Sequence, residues 1–355
     1  MILTVVVATY KRRDTLQVTL QRLANQTCPA ADYEVIVADD GSDDGTREMV
    51  EEMAAQVRYS LRYLQHANRG PGYTQNRGIK EARGELVLLI ADDIHVEPGA
   101  LETHIAFHRE HPEKHFAALG RVLQSPDLPL TVFLKNWDPF KYYELASQVE
   151  LPYWKFWACH ISVKRDFMLE NGLFREHKGA AHEDVELGYR LSLKGLRIFY
   201  VPTAMAYHYH VETLEAAIRR AYERGIHWRF IEDSVPDPQI WVKYHILNFR
   251  TLKYHYQTFR NLSKSSLPRE DRFLPWLVTR QILRWIVFNG LTVPYFWIKL
   301  LKAADHNETV AACMSPYFYR GVVSYYFIKG CHDQAVARAR QSRSGTTGEP
   351  HATRG

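Results

Sequence analysis

The chain has 355 residues, 46% of them hydrophobic and 24% charged, enough to bury a large core in one major domain with an appendage. Its 45 Lys and Arg against 40 Asp and Glu leave a net charge of +5, too mild to indicate nucleic acid as a partner, although Lys, Arg, His and Tyr gather between Lys243 and Arg284 and acids between Asp39 and Glu52. An anionic small molecule and an anionic membrane surface both suit that distribution. The four cysteines, Cys28, Cys159, Cys313 and Cys331, show no C-x-x-C spacing, so the sequence predicts neither a zinc site nor a disulfide framework and fits a reducing compartment. Met1 runs straight into an apolar strand with no basic leader and no cleavage site, so the expected location is cytoplasmic, with the inner face of the membrane as an alternative. Asn307-Glu308-Thr309 matches a glycosylation sequon, read here as a chance match.

In chain order, three short apolar runs, Leu3 to Ala8, Tyr33 to Ala38 and Leu86 to Ile90, lack strict alternation, as strands buried on both faces do. Between them, Asp14 to Asn25 carries Leu16, Leu20 and Leu23 at helical spacing, and Thr46 to Met53 follows a glycine-containing turn. Alternating strand and helix predicts an α/β fold with a doubly wound, mostly parallel sheet flanked by helices, in which ligands bind beyond the carboxyl ends of the strands. Polar residues stand at those places: Thr9-Tyr10-Lys11-Arg12, Asp39-Asp40-Gly41-Ser42 and Asp92-Asp93.

A helical pattern follows from Pro98 to Arg109, then an irregular aromatic stretch from Asn136 to Trp157, then a helix opening at His182-Glu183-Asp184 and closing near Lys194-Gly195. A further strand, Arg197 to Val201, leads into Ala206-Tyr207-His208-Tyr209-His210. Beyond Glu212 the texture changes to aromatic helical segments broken at Pro236, Pro238, Pro268 and Pro294. The expected organisation is a ligand-binding and catalytic domain over 1–211, a mainly helical extension over 212–337 and a disordered tail over 338–355. Trp285 to Leu301 is the most membrane-like stretch, but Asn289, Pro294 and Lys299 interrupt it and it falls short of the roughly 20 apolar residues that span a bilayer. It reads either as a helix lying on a membrane or as a buried amphipathic helix.

Taken together, Val5-Val6-Val7-Ala8-Thr9-Tyr10, Asp39 to Thr46, Asn68-Arg69-Gly70-Pro71-Gly72, Asp92-Asp93 and Glu183-Asp184 resemble, in order and spacing, the family 2 glycosyltransferases of the GT-A fold, over roughly residues 1–211. Each motif alone is weak; the set is specific. The resemblance implies inverting transfer of a sugar from a nucleotide diphosphate sugar, most often UDP-linked, to an acceptor hydroxyl, in surface polysaccharide or glycolipid synthesis. It implies that Ala8, Thr9, Tyr10, Asp40 and Gly41 form the nucleotide pocket, Asp40 accepting from the base edge, with Asp92 beside the donor ribose or sugar. Asp93 and His208 are the implied ligands of a divalent cation, Mn²⁺ or Mg²⁺, with His210 as the alternative histidine. Asp184 is the implied base, and Glu183 orients it or touches the donor.

The physical demands agree with these residue types. A pyrophosphate needs its charge neutralised, which a cation on hard oxygen ligands does, and imidazole in the shell favours Mn²⁺ over Mg²⁺. A carboxylate near an acceptor hydroxyl can take its proton as the oxygen attacks. Local readings compete: Asp39-Asp40-Gly41-Ser42 suits a helix cap, acids favour a helix N-terminus, and Glu186 with Arg190 makes a structural i,i+4 pair. Trp154, Trp157 and His160 lie where acceptors bind in this fold, with core packing as the equal alternative.

The chain departs from the family pattern at two places: Ala91 replaces the first acid of Asp-x-Asp, and Gln75 replaces the arginine of an Ala-Arg-Asn triplet, leaving Arg69 or Arg77 to reach the diphosphate. Two rival functions stay open. A nucleotidyltransferase would carry a glycine-rich loop after the first strand, which Thr9 to Arg13 lacks, whereas a non-catalytic sugar-nucleotide or glycan binding protein is compatible with Ala91 and Gln75. The extension can hold a saccharide or lipid-linked acceptor, contact a membrane peripherally or pack a homodimer, and the residues do not rank these. A zinc protease is excluded because Glu186 stands where His182-Glu183 would need its second histidine.

Overall fold

The computed structural model describes residues 1–137, 142–145, 149–176, 181–244 and 282–344. They form two compact units: residues 1–129 with 138–211, and residues 130–137 with those from 212 onward. The segment 130–137, placed by sequence in the first domain, joins the second unit, because Phe133 and Leu134 are buried in an apolar cluster with Leu214, Phe288 and Tyr319.

The first unit opens with β1 (Leu3–Thr9), α1 (Arg13–Ala24), β2 (Tyr33–Asp39), α2 (Thr46–Ala54), β3 (Ser60–Gln65), α3 (Pro71–Glu81) and β4 (Leu86–Ala91). It continues with β5 (Ile94–Val96), α4 (Ala100–Glu110), β6 (Phe116–Gln124), β7 (Glu150–Leu151), β8 (His160–Lys164), α6 (Arg165–Asn171), α7 (Glu183–Ser192) and β9 (Arg197–His208), while α5 (Val132–Asn136) belongs to the second unit. The nine strands make one sheet in the order β3-β2-β1-β4-β8-β6-β9-β5, with β7 on β9.

β1 pairs in parallel with both β2 and β4, and β2 with β3, so the apolar runs are buried on both faces as their composition requires. Beyond β4 the sheet is mixed, where the sequence predicts mostly parallel strands. β8 inserts antiparallel between β4 and β6. β9 extends to His208, well past the predicted end at Val201, because β6 pairs with it over 197–201 and again over 205–208, where β5 adds a second partner from 206 onward. The helices cover the sheet with the predicted apolar stripes: Leu16, Leu20 and Leu23 of α1 are fully buried.

The second unit contains α8 (Leu214–Ile226), α9 (Trp228–Ser234), α10 (Pro238–Lys243), α11 (Ile298–Ala304), α12 (Glu308–Ala312) and α13 (Pro316–Ser344). The Tyr222 hydroxyl of α8 donates to Asp333 of α13 at 3.0 Å, and Phe327 of α13 packs on Trp228. Helix α13 carries residues 338–344 in regular structure where composition predicts the start of a tail; 345–355 and most of the basic stretch from Lys243 to Arg284 lie outside the described residues. Among the described residues no helix is long and apolar enough to cross a membrane.

Between α4 and the sheet sits a buried polar cluster. Ser162 Oγ lies 2.8 Å from His104 Nδ1 and 2.9 Å from His108 Nε2, and His104 Nε2 lies 3.2 Å from His160 Nε2. His160, expected near an acceptor, is fully buried here and packs against Gly120, so it belongs to the core. Burial holds these imidazoles neutral: it pulls His160 down to about 4, pulls His108 to about 4 with help from Lys164, and pulls His104 well below its ordinary value with help from its two neighbours. An unfolded histidine titrates near 6.5, so between that pH and about 4 the unfolded chain binds more protons, and stability falls as pH falls. For His108 and His160 a shift from about 6.5 to about 4 corresponds to about 3 kcal/mol each across the window. We expect the urea midpoint to hold steady above pH 7 and to drop steeply from about 6.5 to 4. In His108→Gln, chemical denaturation at stepped pH will give a shallower drop over that window.

Candidate active site

The parallel half of the sheet aligns the loops that follow β1, β2 and β4, since Ala8 is level with both Ala38 and Ala91. After β1 the chain turns sharply, with Lys11 in the left-handed region at φ 52° and its amide donating to Ser42 Oγ at 2.7 Å. This turn delivers Arg12 to the end of β4. One guanidinium nitrogen donates to Asp92 Oδ1 at 2.6 Å and the other to Asp93 Oδ2 at 2.9 Å. Thr9 Oγ1 donates to Asp92 Oδ2 at 2.7 Å, and Thr19 Oγ1 to the Asp92 carbonyl at 2.6 Å.

Both aspartates are buried, 4% and 5% exposed, so their charges must be met inside the fold. Burial, with the adjacent Asp93, pushes the Asp92 carboxyl up to about 6 although Arg12 and Thr9 oppose the shift. Burial also pushes Asp93 upward, but His208, His210 and Arg12 outweigh it and hold that carboxyl well below the usual range.

The histidines arrive through strand geometry. β5 pairs antiparallel with β9, setting Ile94 against His208, and the Tyr209 amide donates to the Asp93 carbonyl at 2.9 Å. Alternation then puts His208 and His210 on one side, their rings parallel within 2°, while Tyr209 stacks on His95. His208 Nε2 and His210 Nδ1 each lie 3.3 Å from Asp93 Oδ2. The three ligand atoms fall within 4.8 Å of one another, a carboxylate with two imidazoles, which fits a divalent cation of the Mn²⁺ type. The two histidines, alternatives in the sequence reading, stand here together.

Asp184 sits in the first turn of α7, behind His182 in the left-handed conformation. Gly188 lets α7 approach closely: a Cβ there would stand 2.3 Å from the Tyr153 carbonyl and 2.7 Å from Phe156 Cβ. The buried Glu186 anchors the same turn through Arg190 at 2.7 Å and Arg175 at 3.2 Å, a structural role as the i,i+4 spacing predicts. Burial raises the Cys159 thiol, and the charges of Asp184 and Asp93 raise it further. The Cys159 carbonyl in turn accepts from the Ala91 amide. Glu183 lies beside Asp184 at the helix start and is half-buried.

On the nucleotide side, Asp39 caps its own turn by accepting from Ser42 N and Oγ and from the Tyr63 hydroxyl. Asp40 accepts from the amides of Arg69 at 2.7 Å and Gly70 at 3.0 Å, bracing the turn before α3. Gly41 at φ 91° is the only residue type at ease there, and the His66 carbonyl would meet its Cβ at 3.0 Å. Ala8 and Thr9 lie at the end of β1, and Tyr10 is exposed. Arg69 is held on the Tyr73 ring, 3.8 Å from its centroid, and on Glu176 at 2.7 Å. Gln75, in the place of the family arginine, has a buried Oε1 with no hydrogen-bond partner among the described residues. Trp157 packs on Tyr142 and beneath Lys155, and Trp154 packs on Tyr153.

Sequence reasoning missed Arg12; its signal was a basic residue directly after β1 beside an acidic pair on a neighbouring strand. Because Arg12 and the cation site share Asp93 Oδ2, the two compete for it. Mn²⁺ binding measured by electron paramagnetic resonance should tighten by about tenfold in Arg12→Gln, and should be lost in Asp93→Ala and in the double variant His208→Ala/His210→Ala.

Comparison with known proteins finds similarities over part of the chain. Residues 4–170 match Glycosyl transferase family 2. Validoxylamine A glucosyltransferase of Streptomyces hygroscopicus subsp. jinggangensis is 28% identical over 227 residues, 55% of this chain and 52% of that protein, so the chain spans about half the length of this relative. Chondroitin synthase of Pasteurella multocida is 24% identical over 270 residues, 66% of this chain and 27% of that protein. Poly(ribitol-phosphate) β-N-acetylglucosaminyltransferase TarS of Staphylococcus aureus is 33% identical over 107 residues, 30% of this chain and 19% of that protein. Among solved structures, the mannosyltransferase PcManGT from Pyrobaculum calidifontis, in complex with GDP-Man and Mn²⁺, is similar with a TM-score of 0.56 at 18% identity, covering 95% of this chain and 87% of that one. S. aureus TarS 1–349 in complex with UDP-GlcNAc is similar with a TM-score of 0.50 at 19% identity, covering 95% and 92%. These likenesses show the GT-A fold.

Proposed function

We propose that this chain, whose residues 4–170 belong to glycosyl transferase family 2, moves a sugar from a nucleotide diphosphate sugar, UDP-linked, to an acceptor hydroxyl with inversion, in surface polysaccharide or glycolipid synthesis. The observation that carries the proposal is the meeting of Asp92, Asp93, His208 and His210 at the end of β4. The names of the relatives support sugar transfer, and the complexes of the structural neighbours with UDP-GlcNAc and GDP-Man support a nucleotide-sugar donor.

Asp93, His208 and His210 would hold a divalent cation, Mn²⁺ by its nitrogen-rich shell, and when bound it supplies positive charge to the departing diphosphate. Ala8, Thr9, Tyr10, Asp40 and Gly41 bind the nucleotide, and Asp92 faces the donor ribose or sugar. The Asp184 carboxylate takes the proton of the acceptor hydroxyl as that oxygen forms a bond to the anomeric carbon and the bond to the diphosphate oxygen breaks. Glu183 orients Asp184. The acceptor is a saccharide or a lipid-linked acceptor, and a chondroitin synthase among the relatives supports the saccharide. Four free cysteines support action in the cytoplasm.

Ala91 and the unpartnered Gln75 Oε1 favour a second reading, donor binding without turnover. One experiment separates the two: turnover of UDP-, GDP- and dTDP-sugars with Mn²⁺ or EDTA, with acceptors supplied. Transfer should require Mn²⁺, and Asp184→Asn should lower kcat by about 10³-fold while leaving donor affinity and the circular dichroism spectrum unchanged. Donor binding with no turnover in any mixture would leave the binding reading standing.

A further inference from the structure

We propose that Arg12 binds the donor diphosphate and thereby couples the cation to the nucleotide: it holds Asp93 until a nucleoside diphosphate draws its guanidinium away, which opens Asp93 to the cation. The inference rests on the sugar-transfer reading above, since it requires a nucleotide donor. It starts from one crowded oxygen. Asp93 Oδ2 has Arg12 at 2.9 Å and both His208 Nε2 and His210 Nδ1 at 3.3 Å. A guanidinium and a divalent cation repel one another, so they do not share that oxygen.

Arg12 is built to leave. Its side chain is 34% exposed, whereas those of Asp92 and Asp93 are 5% and 7% exposed, so the guanidinium can turn outward on its flexible stem without opening the fold. The acidic pair stays anchored when it does. Thr9 Oγ1 still donates to Asp92 Oδ2 at 2.7 Å, Thr19 still holds the Asp92 carbonyl, and the two histidines stay beside Asp93.

Its destination follows from charge and position. A planar guanidinium offers paired donors that match phosphate oxygens as well as carboxylate ones. Arg12 follows Thr9 and Tyr10, placed above in the nucleotide pocket, and its guanidinium sits on the carboxylate that would hold the cation. It therefore stands where a diphosphate joins those two places. The neighbouring cations are engaged elsewhere: Lys11 with Asp43, Arg13 with Asp14, and Arg69 with Tyr73 and Glu176. A cation binding alone must displace Arg12, and a nucleotide binding alone must draw it off. Bound together they share that one displacement, so each tightens the other by the same factor.

The test reads Mn²⁺ affinity by electron paramagnetic resonance, without acceptor or turnover, in the presence and absence of UDP or GDP, whichever binds the wild type more tightly. Direct contact between metal and diphosphate tightens Mn²⁺ in any variant. The tightening should nevertheless be about tenfold greater in wild type than in Arg12→Gln. Competition for Asp93 without diphosphate binding predicts equal tightening in the two proteins, and that result would overturn the proposal. The matching nucleoside, which has no phosphate, should leave Mn²⁺ affinity unchanged; tightening as large as that by the diphosphate would overturn it too. A second measurement keeps the charge at position 12. With EDTA present, the guanidinium NMR resonance assigned to Arg12 by its absence in Arg12→Lys should shift when nucleotide is added to wild type. A resonance that stays in place while nucleotide binds would overturn the proposal even if Arg12→Gln did not fold. Wild type that binds neither UDP nor GDP would overturn the donor reading itself, whereas nucleotide binding with equal tightening removes this inference alone.

Discussion

Two neighbouring carboxylates buried at the end of a central strand set the terms for everything around them. Charges of one sign cannot remain in a protein interior without compensation. Asp92 and Asp93 are compensated from three separate parts of the chain: Thr9 and Arg12 after β1, Thr19 from α1, and His208 with His210 from the end of β9. The left-handed Lys11, the parallel alignment of β1 with β4 and the short β5–β9 pairing are the means by which those groups arrive. Loss of any one would leave a buried charge or a misdirected imidazole.

Two positions set this chain apart from the pattern of the family that its residues 4–170 match. With Ala91 in place of an acid, one hard oxygen ligand is missing, and a second imidazole stands beside the remaining carboxylate. A carboxylate with two imidazoles is a mixed nitrogen and oxygen set, which suits transition metals better than magnesium. Gln75 has a related effect on the nucleotide side, where a neutral amide replaces a cation and Arg69 is already engaged with Tyr73 and Glu176. Arg12 is the arginine that pairs with both members of the acidic pair.

What the amino-acid sequence determined by itself is local. Runs of Val, Ile and Leu without alternation can only be strands covered on both faces, the leucines at helical spacing in α1 define its buried stripe, and acidic or polar residues directly after such strands must lie at the ligand edge of the sheet. The order and spacing of the motifs carried the resemblance to the family that residues 4–170 match, and with it the expectation that Asp93, Asp184 and His208 belong to the site. Composition pointed to an aromatic, basic second region but left its occupant open.

Tertiary structure decided whatever depends on residues far apart in the chain. The bonds from Arg12 to Asp92 and Asp93 span 80 and 81 positions, and no local period records them. Whether His208 or His210 faces Asp93 turned on strand pairing, and the answer was both, because alternate residues of an extended chain share a side. His160 went to the core because β8 enters the sheet antiparallel between β4 and β6, an insertion that its short mixed sequence does not announce. Periodicity reports which face of an element is apolar, whereas the choice of what that face meets is made only when distant segments compete for the same buried space.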